Sequence, residues 1–196
     1  EFDHITATIS LYRPGPMDFI PDFIACLHGE KQPEYVHPIL EPILGETMAV
    51  CVYQEQVIQI LADVAGYTPG EADLVRRGIS KKSKKTLDEH REIFAKGSGE
   101  KSGLKRAEAD AIWDALMGFA RYGFNRAHAA DYAVIVAQTA FLKAYYPVEF
   151  MAALLTIERH DTEKIGLLIA ACRRMGIEVL PPSINVSSNN FTVEQL

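Results

Sequence analysis

The sequence predicts a mainly α-helical protein, a multi-helix domain with a few short strands near residues 49–53, 177–180 and 191–194. Three observations carry that expectation. Apolar residues recur at three- and four-residue spacing in segment after segment, which paints one face of successive helices. Runs that read as strands are short and scattered. Proline and glycine clusters punctuate the chain at Arg13-Pro-Gly-Pro16, Gly66-Tyr-Thr-Pro-Gly70 and Tyr122-Gly-Phe-Asn125, where helices have to stop. With 196 residues, 48% of them apolar, the chain is long enough to bury a sizeable core, as one domain or a domain plus an appendage.

Taken in order, Phe2 to Leu11 reads as a short helix or an extended lead-in. Two prolines flanking a glycine then fix a rigid turn that holds Arg13 at its lip, as a substrate contact or as an exposed arginine at a turn. Pro16 suits the first turn of a helix whose stripe is Met17, Phe19, Ile20, Phe23, Ile24 and Leu27, with Gly29 as its terminator. Residues 30–47 contain Pro33, Pro38 and Pro42, so a winding segment is expected, with one helical turn at Ile39 to Leu44. Ala49 to Tyr53 is a strand candidate. Gln54 opens a helix carrying Val57, Ile58, Leu61, Ala62 and Ala65, so Tyr53-Gln-Glu-Gln56 sits at a junction; Glu55 there is a capping or surface residue rather than a catalytic one.

Thr68, Pro69 and Glu71 have the pattern of an N-cap, a proline at the first helical position and an acid at the third. The helix they start turns Ala72, Leu74 and Val75 inward and delivers Arg76 and Arg77 near its end, where the helix dipole also favours cations. A helix of about Lys84 to Lys96 follows, with Leu87, Ile93 and Phe94 to dock. Gly97-Ser-Gly-Glu-Lys-Ser-Gly103 reads as a flexible loop. Arg106 to Phe119 is helical with Ala109, Ile112, Trp113, Leu116 and Phe119 inward. Asn125 is a good N-cap for a long helix of about Ala127 to Tyr146, which Pro147 ends. Two further amphipathic helices are expected, Val148 to Glu158 and Thr162 to Met175, the second capped by Asp161 and stopped by Gly176. The chain opens and closes abruptly, as a fragment does.

Charge is distributed unevenly. The net charge is -6, which argues against a general basic coat, yet the stretch Arg76 to Lys85 holds six basic residues and no acidic one. A polyanion is the natural partner of that stretch. Paired guanidinium groups offer planar forks of donors to phosphate, Lys81 and Lys82 add point charges, and Gly78 with the Ser80 hydroxyl lets donors approach the same anion. Lys84 and Lys85 are either further contacts or a solvated face. At the start of the long helix, free backbone N–H groups, Arg126 and His128 would sit in one turn, a second ready anion site. Tyr122 and Phe124 either stack on a base or sugar or pack. Cys26, Cys51 and Cys172 are scattered and odd in number, which fits small buried residues in a reducing, cytoplasmic compartment. No uninterrupted apolar run is long enough for a membrane span.

Six ordered motifs carry a resemblance: Arg13-Pro-Gly-Pro16; Tyr53-Gln-Glu-Gln56; Ala72-Asp-Leu-Val-Arg-Arg77 with Lys81-Lys82; Tyr122-Gly-Phe-Asn-Arg-Ala-His-Ala129; Leu142-Lys-Ala-Tyr-Tyr-Pro147; and Pro181-Pro-Ser-Ile-Asn185. Nearly the whole chain resembles the alpha subunit of bacterial DNA polymerase III, a family C DNA polymerase, over its fingers region. The resemblance implies residues 1–15 as the end of the palm or a lead-in, 16–180 as a helical fingers domain and 181–196 as the start of the connection to the next domain. It further implies Arg76, Arg77, Lys81, Lys82, Asn125, Arg126 and His128 as nucleotide-binding, with His128 near the sugar, where it would help exclude ribose. Arg13, Gln54, Lys84, Lys85 and Tyr122 are candidates for a second set of contacts to DNA or nucleotide. Where the family often has Phe-Asn-Lys-Ser-His, this chain has Arg126 and Ala127, which keeps the charge and loses the serine hydroxyl.

The family joins a deoxynucleotide (dNTP) to a primer-template, with two magnesium ions held by paired carboxylates. This chain has no Asp-x-Asp, and the spaced pairs Glu71/Asp73 and Glu108/Asp110 fall in helical patterns, where such residues point to different faces. The resemblance places the metal acids in the palm, outside this segment, so no catalytic residue and no metal ligand is expected within it and the segment alone is expected to be inactive. The implied partners are primer-template DNA, dNTP and, through the full-length protein, the sliding clamp and other replisome subunits; no membrane is expected. One alternative is a free-standing helical module that binds phosphate or nucleic acid without polymerase activity. A weaker one is a small hydrolase using His128 with Glu55 or Asp131.

Overall fold

The computed structural model describes residues 2–13, 15–80, 84–119 and 122–194; the side chains of Ser80, Lys84, Lys85, Thr86 and Phe119 lie outside that description. The expectations for Pro14, Lys81, Lys82 and Arg121, and for those side chains, therefore lie outside the described residues. The chain forms two compact units, residues 1–133 and 134–196.

The first unit begins with helix α1 (Phe2–Leu11) and a single 3-10 turn, Pro16–Phe19, that runs into α2 (Ile20–Leu27). Three short turns follow, with α3 (Glu41–Leu44) flanked by 3-10 turns at Pro38–Leu40 and Gly45–Thr47. Then come α4 (Gln54–Ala65), α5 (Pro69–Ser80), α6 (Lys84–Ser102), α7 (Arg106–Phe119) and α8 (Arg126–Tyr145), whose residues from Val134 onward are assigned to the second unit. The mainly helical expectation holds. Strands do not form at residues 49–53, 177–180 or 191–194 among the described residues; Tyr53 makes one isolated parallel bridge, to Phe124. Met48 and Ala49 both take left-handed backbone conformations, φ 53° and 66°, which bend the chain where an extended run would have to begin.

The principal core lies among α4 to α7. Val57, Leu61, Val64, Ala72, Val75, Ile79, Phe94, Ala109, Ile112, Trp113 and Leu116 are all buried there, and the Phe94 and Trp113 rings meet at 5.5 Å. Burial of a side chain the size of Phe94 is worth about 1.5–3 kcal/mol. Leu74 is 66% exposed and Ile93 52% exposed, so these two are corrections to the inward faces expected of α5 and α6. Each is one step along its helix from a fully buried residue, Val75 and Phe94, and the 100° turn per residue carries it off the buried stripe. A second cluster joins Ala7 and Leu11 of α1, Phe23 of α2 and Val50, Val52 and Tyr53, with Phe19, Ile20 and Leu27 packed against it; Met17 and Ile24 fall on the open edge of the predicted stripe.

The stretch expected to be a flexible loop, residues 97–103, is instead the last turn and a half of α6, up to Ser102. Tertiary packing overrides the composition. A Cβ on Gly97 would come 2.2 Å from the Ala65 carbonyl oxygen, so only glycine lets α6 lie this close to the end of α4. The Ser102 hydroxyl donates to the Val64 carbonyl at 2.7 Å and the Lys101 ammonium to the Ala62 carbonyl at 2.8 Å. The first bond satisfies a carbonyl in the last turn of α4, and the second adds a donor to the Ala62 carbonyl, which also accepts from the Gly66 N–H at 2.9 Å.

The second unit contains α9 (Pro147–Ile157) and α10 (Thr162–Arg174), around Met151, Leu155 and Cys172. The Asp161 carboxylate accepts from the Lys164 N–H at 3.1 Å and Gly176 takes φ 74°, the cap and stop expected. The Thr156 hydroxyl, at 3.1 Å from the Phe191 N–H and 3.3 Å from its carbonyl, pins the chain's last described segment to α9. Among the described residues no helix is long and apolar enough to cross a membrane.

Candidate functional site

Two clusters hold the residues singled out from the sequence. The first is the end of α5. Thr68 and Glu71 close a capping box: the Glu71 carboxylate accepts from the Thr68 N–H at 2.9 Å and from its hydroxyl at 2.7 Å, while the Glu71 N–H donates to the Thr68 hydroxyl at 3.3 Å. These bonds hold the Glu71 carboxyl below its ordinary value. Two residues on, Asp73 anchors both arginines. Its carboxylate meets Arg76 through Nε at 2.8 Å and a terminal nitrogen at 2.7 Å, and Arg77 at 2.7 Å. The hydrogen bond from Arg76, then the nearby guanidinium charges, keep the Asp73 carboxyl below its ordinary value. Arg76 is tucked in, with 17% of its side chain exposed, and Arg77 is presented outward at 64%. The sequence places Asp73 in a spaced acid pair and in the Ala72–Arg77 motif; its position three and four residues before the arginines is the signal that identifies its partners.

The second cluster is the junction between the start of α4 and the start of α8. The Gln54 N–H donates to the Phe124 carbonyl at 2.9 Å, the Phe124 N–H to the Val52 carbonyl at 2.9 Å, and the Gln54 amide to the Gly123 carbonyl at 3.0 Å. A Cβ on Gly123 would lie 3.3 Å from Gln54, so the glycine permits this close approach. Arg13 joins from the other side. Its Nε donates to the Ser10 carbonyl at 3.1 Å, a terminal nitrogen donates to the Tyr122 carbonyl, and its guanidinium lies 4.5 Å from the centre of the Phe124 ring. Burial lowers the Arg13 pKa. Gly15 takes φ 102° beneath the Tyr122 ring, whose atoms would stand 2.6–2.9 Å from a Cβ there.

Asn125 caps α8 as expected, accepting from the His128 N–H at 2.8 Å. The donors expected to be free at the start of α8 have partners, two carboxylates of this chain. Glu55 accepts from the Arg126 N–H at 3.1 and 3.0 Å and from the Asn125 side-chain amide at 2.8 Å. A carboxylate at a helix start meets both the orphan N–H groups and the positive end of the dipole. The Arg126 guanidinium forms a two-pronged pair with Glu46, both contacts at 2.9 Å, and sits 5.4 Å from the centre of the Tyr53 ring. The His128 ring lies 5.6 Å from that of Phe124 and 4.8 Å, edge-on, from that of Tyr132.

Thus the structure brings Arg13, Gln54, Tyr122, Asn125, Arg126 and His128 into one junction and sets Arg76 and Arg77 together on α5. It adds Glu46, which sequence reasoning missed, gives Gln56 a role that the Tyr53–Gln56 motif did not specify, and turns Glu55 to the start of a distant helix. Gln56 is buried and accepts from the Val52 and Tyr53 N–H groups, both at 2.9 Å, while donating to the Thr47 hydroxyl at 2.8 Å and the Ile43 carbonyl at 3.3 Å. Its local sequence signal is a glutamine at the third helical position, within the Tyr53–Gln56 motif.

The acid pairs do not fit a magnesium site. Glu71 caps α5, Asp73 holds two arginines, Glu108 accepts from the Lys105 N–H at 2.7 Å, and Asp110 is shared by Arg91 and Arg106 at 2.7 and 2.8 Å. Among the described residues no three His, Cys, Asp or Glu side chains converge as metal ligands.

The chain is 48% identical over 97% of its length to the DNA polymerase III subunit alpha of Thermus aquaticus, 49% over 98% to that of a serogroup A Neisseria meningitidis, and 50% over 97% to that of Chlamydia pneumoniae. It spans 15–17% of the length of these relatives. Residues 1–102 match the family described as the bacterial DNA polymerase III alpha subunit finger domain, and the chain belongs to that family.

Proposed function

We propose that this chain is the fingers region of a DNA-directed DNA polymerase, a nucleotidyltransferase that replicates DNA, and that it binds the triphosphate of the incoming dNTP together with the template. The observation that carries this reading is the end of α5 in a chain of the finger-domain family. There Asp73 aligns Arg76 and Arg77, and Arg77 is turned outward at the head of a basic run continuing through Lys81 and Lys82. A locally concentrated positive charge on an acidic chain suits a polyphosphate. At the α4–α8 junction, Asn125, Arg126 and His128 complete the nucleotide-binding set. Arg13, Gln54, Tyr122, Lys84 and Lys85 supply further contacts to DNA or nucleotide.

In this reading residues 1–15 lead in from the palm, 16–180 are the fingers and 181–196 begin the connection onward. Because the acids here serve caps and arginines, the magnesium ions belong to palm carboxylates elsewhere in the full-length protein, and the segment alone does not polymerise. The full-length protein works in the cytoplasm on primer-template DNA, with the sliding clamp and other replisome subunits.

The test is primer extension by the full-length protein, comparing wild type, Arg76→Ala/Arg77→Ala and His128→Ala with deoxy- and ribonucleotides. The reading expects the double arginine change to raise the nucleotide KM or lower turnover with primer-template binding retained, and His128→Ala to admit ribonucleotides. Normal extension by all variants overturns the site assignment.

A further inference from the structure

We propose that Glu46 is the resident counter-anion of Arg126, displaced when a polyphosphate binds, so that this carboxylate sets the affinity of the site for nucleotide. The inference rests on the reading of Arg126 as a nucleotide-binding residue. It begins with a contrast between the two carboxylates at the start of α8. Glu55 is committed to the backbone and side-chain amide of the helix start through three hydrogen bonds, so its removal would undo the cap. Among the described residues the Glu46 carboxylate contacts the guanidinium alone, and that guanidinium carries its charge outward: 43% of the Arg126 side chain and 40% of the Glu46 side chain are exposed, while Asp3, 70% exposed, reaches it only at 3.9 Å against 2.9 Å for Glu46. A pair this open to water is screened and exchangeable even in two-pronged geometry.

The backbone beneath Glu46 is firm while its side chain is not. Gln56 donates to the Thr47 hydroxyl at 2.8 Å and to the Ile43 carbonyl at 3.3 Å, which ties both ends of the short turn carrying Glu46 to α4. Two successive left-handed residues, Met48 and Ala49, follow at once, a sparsely populated backbone that the surroundings must hold in place. Displacement therefore asks for rotation of one side chain and no rearrangement of the chain. The exchange also favours a particular class of ligand. A single carboxylate occupies both prongs of the guanidinium, so a ligand of low charge gains nothing by replacing it, whereas a triphosphate brings several charges and acceptors to the same fork. Glu46 thus lowers the affinity for every anion and leaves the polyphosphate as the one able to compete.

The experiment uses the full-length protein in steady-state primer extension, with Glu46→Gln, Glu46→Ala, Arg126→Ala and Glu46→Gln/Arg126→Ala, and with inorganic tripolyphosphate as a competitive probe. Both Glu46 variants are expected to lower the nucleotide KM about two- to five-fold, the fold-change equivalent to an exposed ion pair, and to strengthen inhibition by tripolyphosphate to the same degree. In the Arg126→Ala background the Glu46 effect should vanish. An unchanged or raised KM in both Glu46 variants, with Arg126→Ala raising it, overturns the counter-anion role and leaves the nucleotide reading standing. No change in KM on Arg126→Ala overturns the nucleotide reading of Arg126 itself, and the counter-anion role with it.

Discussion

The carboxylate of Glu55, in the first turn of α4, reaches the backbone N–H of Arg126, the first residue of α8, at 3.0 Å across 71 positions of sequence. One side chain therefore couples the starts of two helices that share the candidate site. Glu55→Ala leaves the Arg126 N–H and the Asn125 amide without this partner, at an expected cost of about 1–2 kcal/mol, the usual cost of losing a cap. Glu55→Gln keeps an acceptor and loses only the charge opposite the helix dipole, so about 0.3–1 kcal/mol is expected. Urea unfolding of the three proteins checks the order.

Gly97 and Gly99 share one turn of α6 and should respond in opposite ways. A Cβ at position 97 meets the Ala65 carbonyl oxygen at 2.2 Å, a backbone atom at the end of α4 that cannot step aside cheaply; at position 99 the nearest atom is at 3.5 Å, an ordinary contact. Gly97→Ala is expected to destabilise by about 1–3 kcal/mol. Gly99→Ala should be neutral or stabilising by up to about 1 kcal/mol, because alanine is the better helix former. Thermal unfolding of both variants separates tertiary packing from helix propensity.

That pair of glycines also shows where the sequence is readable. Local chemistry was legible: Thr68 with Glu71, Asn125 and Asp161 all cap the helices their positions indicate, since a cap depends on residues three apart. The order of helices and the arginines at the end of α5 follow for the same reason. Residues 97–102 were misread because their helix is fixed by Ala65, Val64 and Ala62, more than thirty positions away. The site was half legible. Asn125, Arg126 and His128 are where the motif puts them, but their anions, Glu55 and Glu46, arrive from distant turns that no local pattern announces.

Acid should loosen the contact between α6 and α7. Asp110 accepts from Arg106 and Arg91, and Glu92 pairs with Arg106; these hydrogen bonds hold both carboxyls below their ordinary values of 3.8 and 4.5. The unfolded chain then binds more protons than the native one, so this contribution is present above about pH 4.5 and is lost as pH falls through the lowered native values. The urea midpoint should drop on acidification below that point. Asp110→Asn should have a lower midpoint at pH 7 and a shallower acid limb; an unchanged limb would show that Asp110 does not carry the effect.

Gln56 offers the sharpest test of the turn that supports Glu46. Its amide is 3% exposed and has four partners: the Val52 and Tyr53 N–H groups on its oxygen, the Thr47 hydroxyl and the Ile43 carbonyl on its nitrogen. Gln56→Leu keeps the bulk and strands these groups, and a loss of about 3–5 kcal/mol is expected, since each buried unpaired group costs about 1–3 kcal/mol and such costs do not add fully. Gln56→Glu is more informative. The new carboxyl still accepts from Val52 and Tyr53, but when ionised it has no hydrogen to give the Ile43 carbonyl; when protonated it does. Its native pKa should therefore lie above the value of about 4.3 found in unfolded chains. A raised native pKa means stability that is fully present below the unfolded value and is lost as pH rises through the native one. Relative to wild type, the Gln56→Glu protein should be less destabilised at pH 4 than at pH 7 in urea unfolding. An equal deficit at both values would mean that the donation to Ile43 contributes nothing to holding the turn.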